Sequence, residues 1–207
     1  TVAALLAART HLVFDFGSGP ETLDLTDIGA KYDAYCRIGD FIQRKDEADH
    51  TAVLNRIALD NGIDPLEITA RLTMDEGEIA ALATHPMACI GAHTISHRAL
   101  ARLDADNARR EMEASARRVE EITGKRPGTI AYPYGNCGAA SAREFSIAAE
   151  LGFTAGVTTR PGVLTAEHGT ATTGLPRVSL NGFYQKRRYV SALASGIPFT
   201  FRGADRI

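Results

Sequence analysis

Met87-Ala88-Cys89-Ile90-Gly91-Ala92 is a short apolar run without alternation, and His93-Thr94-Ile95-Ser96-His97 follows it directly. An unbroken apolar stretch of this length is the pattern of a strand covered on both faces, as in a parallel sheet. The two histidines therefore fall in the turn that leaves its carboxyl end. In parallel β/α folds that end of the sheet is where functional side chains gather. If the turn is helical, a spacing of four puts both imidazoles on one side, within reach of a single ion. Neutral imidazole nitrogen suits zinc and similar borderline metals. Two histidines hold a metal poorly by themselves, so a carboxylate or other third donor is required from elsewhere. The competing interpretation of the bare spacing is two unrelated surface histidines.

Downstream, residues 104–123 form the clearest helix. Asp104 caps it, Ala108, Met112, Ser115, Val119 and Ile122 share one face, Glu113, Arg117 and Glu121 pair along another, and Gly124 stops it. Residues 129–132 are a second buried-strand run, closed by Pro133-Tyr134-Gly135 and followed by a helix from about 139 to 151. The strand signal returns at 153–158 and 175–180, and a helix at 185–194 closes the pattern. Strands alternating with helices of this length predict βα units and a parallel sheet.

Upstream the texture differs. A short alanine- and leucine-rich helix precedes a strand-like run at 12–16, which ends at Gly17-Ser18-Gly19-Pro20. Residues 27–82 are helical and polar, with breaks at Asn61-Gly62 and Asp64-Pro65, and read as three or four short helices. Thr73 with Glu76 forms a capping-box pattern ahead of Ile79, Ala80, Leu82 and Ala83.

Composition bounds the function. The 207 residues are 44% hydrophobic and 23% charged, ordinary values for a folded globular chain. The net charge of -2 and interleaved signs leave no electrostatic footprint for nucleic acid. Cys36, Cys89 and Cys137 are odd in number and without paired spacing, which implies neither a disulfide framework nor a cysteine zinc site. No apolar run approaches the ~20 residues of a membrane span, and no charged-then-apolar leader opens the sequence, so a cytoplasmic location is expected. Thr1 in place of methionine is consistent with a processed chain or a fragment. No G-x-S-x-G turn occurs, which disfavours a serine hydrolase, and Gly17-Ser18-Gly19-Pro20 lacks the third glycine and βαβ setting of a dinucleotide site.

Two segments taken together resemble the polysaccharide deacetylases, carbohydrate esterases that remove N-acetyl or O-acetyl groups from sugar polymers. That family's H-[ST]-x-x-H motif is matched by His93-Thr94-Ile95-Ser96-His97, and its R-x-P-[YF]-[GR] motif by Ala131-Tyr132-Pro133-Tyr134-Gly135, with alanine in place of arginine. The resemblance continues through Glu150-Leu151-Gly152-Phe153-Thr154-Ala155 and Leu175-Pro176-Arg177-Val178, so it covers roughly residues 86–181. It implies an α/β fold, a distorted and incomplete parallel β/α barrel with a helical N-terminal insert. Residues 1–85 would be the mostly helical insert and 86–207 the deacetylase-like β/α core, within one structural domain overall. An exposed sheet edge would follow, and with it homo-oligomerisation; a monomer by light scattering would argue against that.

The resemblance also implies chemistry. His93 and His97 would be ligands of a divalent metal ion, zinc in the first instance, which polarises an acetyl carbonyl and activates a water. The backbone N–H of Tyr134 would stabilise the oxyanion, and Pro133 and Tyr134 would line the groove for a carbohydrate substrate. Thr94 would support the ligands or cap the following helix.

The departures are specific. The family's T-F-D-D motif supplies a metal-binding aspartate and a general base, and no Asp-Asp pair occurs in the 207 residues. Asp15, in Val13-Phe14-Asp15-Phe16-Gly17, offers one acid where two are needed. The resemblance therefore leads to the expectation that the first-motif strand lies upstream of Thr1, and that the present chain is weakly active or inactive. Arg177 is the candidate to replace the missing arginine, or else it forms a structural ion pair. His168, His11, His50 and His85 are not assigned the acid role. Lys186-Arg187-Arg188 reads as a solvated helix face, and Phe183 and Tyr184 as core packing or sugar-stacking rings. The alternative function is a carbohydrate-binding homologue that has lost the aspartate pair and does not hydrolyse; an unrelated metal hydrolase is a third.

Overall fold

Buried Leu12 and Phe14 alternate with exposed neighbours, and this period of two makes β1 (His11–Asp15) a half-buried strand. It pairs antiparallel with β2 (Pro20–Asp24), from His11 opposite Asp24 to Asp15 opposite Pro20. The computed structural model that shows this describes residues 1–7, 9–43, 47–180 and 185–200. Phe183 and Tyr184 lie outside the described residues. The Asp15 carboxylate closes the hairpin turn, accepting from the Gly17 N–H at 2.7 Å and the Gly19 N–H at 3.1 Å. α1 (Val2–Ala7) precedes the hairpin, and α2 (Ile28–Ile42), α3 (Glu47–Asp60) and α4 (Pro65–Leu72) follow it. Asp27 and Asp64 cap α2 and α4 by accepting from the Ala30 and Leu66 N–H groups. Leu5, Phe14, Leu25, Ile38 and Phe41 form the core of this first unit, Thr1–Asp75. The Phe14 ring sits 4.6 Å from that of Phe16 and 5.6 Å from that of Phe41.

The second unit begins at Glu76. α5 (Glu76–Ala83) belongs to it and is tied to α6 (Ala105–Thr123) by an ion pair from Glu76 to Arg118. α6 keeps its expected ends. Asp104 accepts from the Asn107 N–H, contacts with Asn107 hold its carboxyl below the usual carboxylate range, and Gly124 ends the helix at φ 71°. Three parallel strands, β3 (Thr129–Ala131), β4 (Ala155–Pro161) and β5 (Leu175–Arg177), make a sheet in that order, with α7 (Ala142–Glu150) connecting β3 to β4. α8 (Arg187–Ala194) and α9 (Ile197–Thr200) follow. Leu100, Met112, Ile130, Ile147 and Phe153 are buried together between helices and sheet. Each such side chain contributes about 1.5–3 kcal/mol by leaving water.

The fold is mixed α/β with a parallel sheet, and among the described residues that sheet does not close into a barrel. The expected strand at 87–92 reaches the sheet only through Ala92, which makes a single parallel bridge to Ile130. Met87 is 87% exposed. An apolar run becomes a doubly buried strand only where neighbours cover it, and among the described residues this segment pairs with the sheet through Ala92 alone. β4 also starts later than the apolar pattern suggests, because Phe153 is spent on the core and the ladder to β3 begins at Ala155 opposite Thr129. Among the described residues no helix is long and apolar enough to cross a membrane.

Candidate functional site

His93 leaves the sheet directly after Ala92, so its position is set by the Ala92–Ile130 bridge. The His93 ring Nδ1 lies 2.8 Å from the carbonyl oxygen of Ala131, the last residue of β3. A carbonyl only accepts, so Nδ1 carries a proton, and in the neutral ring the lone pair is on Nε2. The Ala131 carbonyl thereby fixes the ring's orientation, a contact that metal-ligating histidines share. The His97 ring comes to 4.8 Å from that of His93, centroid to centroid, at an interplanar angle of 74°. Convergence is not achieved by a helical turn. Thr94 at φ 62° and His97 at φ 57° are both left-handed, and the Thr94 hydroxyl accepts from the His97 N–H at 3.0 Å, closing the loop on itself. Thr94 thus holds the turn between the two histidines.

Tyr134 brings the second motif to the same place. Its ring lies 5.1 Å from that of His97. The Gly135 N–H donates to the Pro133 carbonyl at 2.7 Å and Tyr134 has φ 59°, a positive-φ γ-turn, which is rare and strained. β4 holds this bend: the Thr159 hydroxyl donates to the Tyr134 carbonyl at 2.6 Å and the Thr159 N–H to the Gly135 carbonyl at 3.1 Å. Pro133 is fully buried. Tyr132 beneath it is 2% exposed and donates to the Thr173 carbonyl at 2.6 Å; burial, with the nearby Glu144 carboxylate, pushes its hydroxyl well above the ordinary tyrosine range. Among the described residues, Thr94, His97 and Tyr134 are the only non-glycines with positive φ. Such conformations cost about 1–3 kcal/mol each and persist where the surroundings over-determine them, most often at functional sites.

The remaining candidates have local partners of their own. Arg177 ends β5, with β4 between it and β3, and is exposed. Arg160, on the neighbouring strand, donates to the Ala140 carbonyl at 2.6 Å and so secures the loop after the bend. Asp15 lies in the first unit, engaged in its hairpin turn. His168 and His85 serve local turns through contacts of their Nδ1 atoms with the Thr165 N–H and the Met87 N–H. His11 contacts the Thr10 hydroxyl, and His50 stacks on Phe41 at 4.0 Å. The three cysteines are exposed and free. Among the described residues no group of three or more His, Cys, Asp or Glu side chains is placed to hold a metal. The two imidazoles are a donor pair of the type a divalent ion takes, and among the described residues the further ligand that such an ion needs is not placed beside them.

The sequence pattern missed the supports. Glu111 and Ser115 of α6 reach the histidine loop. The Ile95 and Ser96 N–H groups donate to the Glu111 carboxylate at 3.2 and 2.9 Å, and the His93 N–H donates to the Ser115 hydroxyl at 3.1 Å. A serine inside the apolar stripe of α6 was the one available signal.

Comparison with known proteins bears on fold and family. No curated protein matches the chain. Among solved structures, the Streptococcus pyogenes deacetylase PplD in complex with acetate is similar with a TM-score of 0.53 at 20% identity. The likeness covers 69% of this chain and 64% of that one, so the chain spans just under two thirds of that protein, and at such identity it is a likeness of fold. The profile of the family described as polysaccharide deacetylase matches residues 11–156. That match covers well over half of the chain and includes both the histidine loop and the Pro133-Tyr134-Gly135 bend, so the chain belongs to the polysaccharide deacetylase family.

Proposed function

We propose that this chain carries part of the site of a metal-dependent hydrolase that removes acetyl groups from an amino-sugar polymer or oligosaccharide. One observation supports it above all: two imidazoles within 4.8 Å on a left-handed loop, beside a strained Pro-Tyr-Gly bend, at the carboxyl end of a parallel sheet. His93 and His97 would hold the divalent ion, zinc in the first instance. That ion would supply Lewis-acid polarisation of the acyl group and activation of a water molecule. The Ala131 carbonyl keeps the His93 Nδ1 proton in place and leaves Nε2 for the ion. The Tyr134 backbone N–H is the candidate donor to the oxyanion, and Tyr134 would wall the sugar groove, with Arg177 at its far strand end; Pro133, fully buried, would set the bend from beneath rather than line the groove as expected. In this reading the sheet is an arc of a β/α barrel.

A second reading, a carbohydrate-binding homologue that does not hydrolyse, is favoured by the absence of an Asp-Asp pair and of a third placed donor among the described residues. Acetate release from N-acetylglucosamine oligomers, followed with and without added zinc and beside the double variant His93→Ala/His97→Asn, separates the two. The expected result is slow, zinc-dependent release that the double variant lacks. Oligomer binding with no zinc-dependent release would establish the second reading, and neither binding nor release would remove both.

A further inference from the structure

Glu111 makes three contacts with one short loop. Oε2 accepts from the successive N–H groups of Ile95 and Ser96 at 3.2 and 2.9 Å, and Oε1 accepts from the Ser96 hydroxyl at 2.5 Å. Two consecutive amides converging on one anion form a concave nest, and hydrogen bonds to an ionised acceptor are roughly twice as strong as neutral ones. One helical turn further along α6, Ser115, only 5% exposed, accepts from the His93 N–H at 3.1 Å. One face of α6 therefore grips the loop at its first residue and at its middle. Between and after those grips stand Thr94 at φ 62° and His97 at φ 57°, conformations that relax unless held.

We infer that Glu111 is a positioning residue for the histidine pair: it pins the 95–96 peptide so that the left-handed backbone at Thr94 and His97 keeps the two rings converged. Ser115 is its auxiliary at His93. This rests on the metal reading given above for what the rings do, while the pinning itself rests on the loop geometry alone. Glu111 does not touch the reacting atoms. It acts through the loop, as outer supports of metal ligands do, and their loss weakens metal binding about 10- to 100-fold.

The test uses the 207-residue chain with Glu111→Ala, Glu111→Gln and Ser115→Ala, and with Arg117→Ala on the exposed face of α6 as control. Amide hydrogen exchange is read at residues 93–97, zinc binding by calorimetry, and the unfolding midpoint by circular dichroism. Glu111→Ala should expose the Ile95 and Ser96 amides to exchange and weaken zinc binding about 10- to 100-fold, with the midpoint close to that of Arg117→Ala. Glu111→Gln, which keeps an acceptor but not the charge, should fall between it and the unaltered chain. Ser115→Ala should release the His93 amide and leave 95 and 96 protected. Unchanged protection at 95 and 96 in Glu111→Ala, or lost protection with unchanged zinc affinity, would overturn the inference. If the unaltered chain takes up no zinc, the metal reading fails, and the exchange data still decide whether Glu111 pins the loop.

Discussion

Replacing His97 with asparagine should abolish measurable zinc uptake while leaving the fold intact. The expected loss exceeds about 100-fold in affinity, beyond what a change in an outer support produces, because one imidazole cannot chelate. Asparagine is the informative substitution. His97 sits at φ 57°, where alanine adds about 1–2 kcal/mol of backbone strain but asparagine is tolerated. His97→Ala would thus confound ligand loss with loop relaxation, whereas His97→Asn removes the ring and keeps the turn. His93→Ala should lose zinc to the same extent and also leave the Ala131 carbonyl without its imidazole donor. The measurement is zinc titration by calorimetry, paired with the unfolding midpoint with and without zinc. A ligand that binds only the folded state raises the midpoint, so zinc should stabilise the unaltered chain and neither variant. Zinc affinity in His97→Asn equal to that of the unaltered chain would show that the paired rings are not a metal site.

Gly135→Ala should be among the most damaging small substitutions in the second unit. A Cβ at that position would lie 2.5 Å from the Thr159 backbone nitrogen and 3.0 Å from its Cγ2, and Gly135 has φ 62°. The clash cannot be relieved by turning a side chain, because the nearest atom is backbone in β4 and its N–H is the one bonded to the Gly135 carbonyl at 3.1 Å. Backbone strain of about 1–2 kcal/mol and overpacking of about 1–3 kcal/mol together give about 2–5 kcal/mol. That is a large part of a typical domain's stability of about 5–15 kcal/mol. Gly138→Ala is the control, since its Cβ would meet only the Asn136 side chain at 3.4 Å and its φ is not positive. Urea unfolding of both variants checks the prediction. A Gly135→Ala chain within about 0.5 kcal/mol of the unaltered protein, the range of ordinary surface changes, would mean that β4 does not hold the bend as closely as the geometry requires.

Both predictions concern a site whose donors were legible and whose supports were not. The histidine spacing and the Pro-Tyr-Gly sequence are local patterns, and they marked His93, His97 and Tyr134 as candidates that the structure brings together. Arg177 was marked by the same kind of pattern and lies two strands along the sheet from Ala131. Glu111 looked like one more surface acid on a charged helix, because nothing within a few residues of it announces a loop fifteen positions earlier. Thr159 was likewise only a residue just past the strand signal at 153–158 until β4 was laid beside the bend.

What the chain's order of residues determined alone is whatever depends on neighbours within a turn or two. α6 began at Asp104 and ended at Gly124 as expected, since a capping carboxylate and a left-handed glycine act on the adjacent backbone. The parallel arrangement of β3 and β4 around α7 was likewise implied by alternating patterns. Tertiary contact decided the rest: that the run at 87–92 yields one bridge rather than a strand, that β4 starts at Ala155, and that Thr94, His97 and Tyr134 take left-handed backbone. A pattern of apolar residues states a demand for cover, and only the packed chain determines whether cover exists. Strain at a non-glycine residue is written in no local preference, because it survives only where hydrogen bonds from elsewhere in the fold outweigh it.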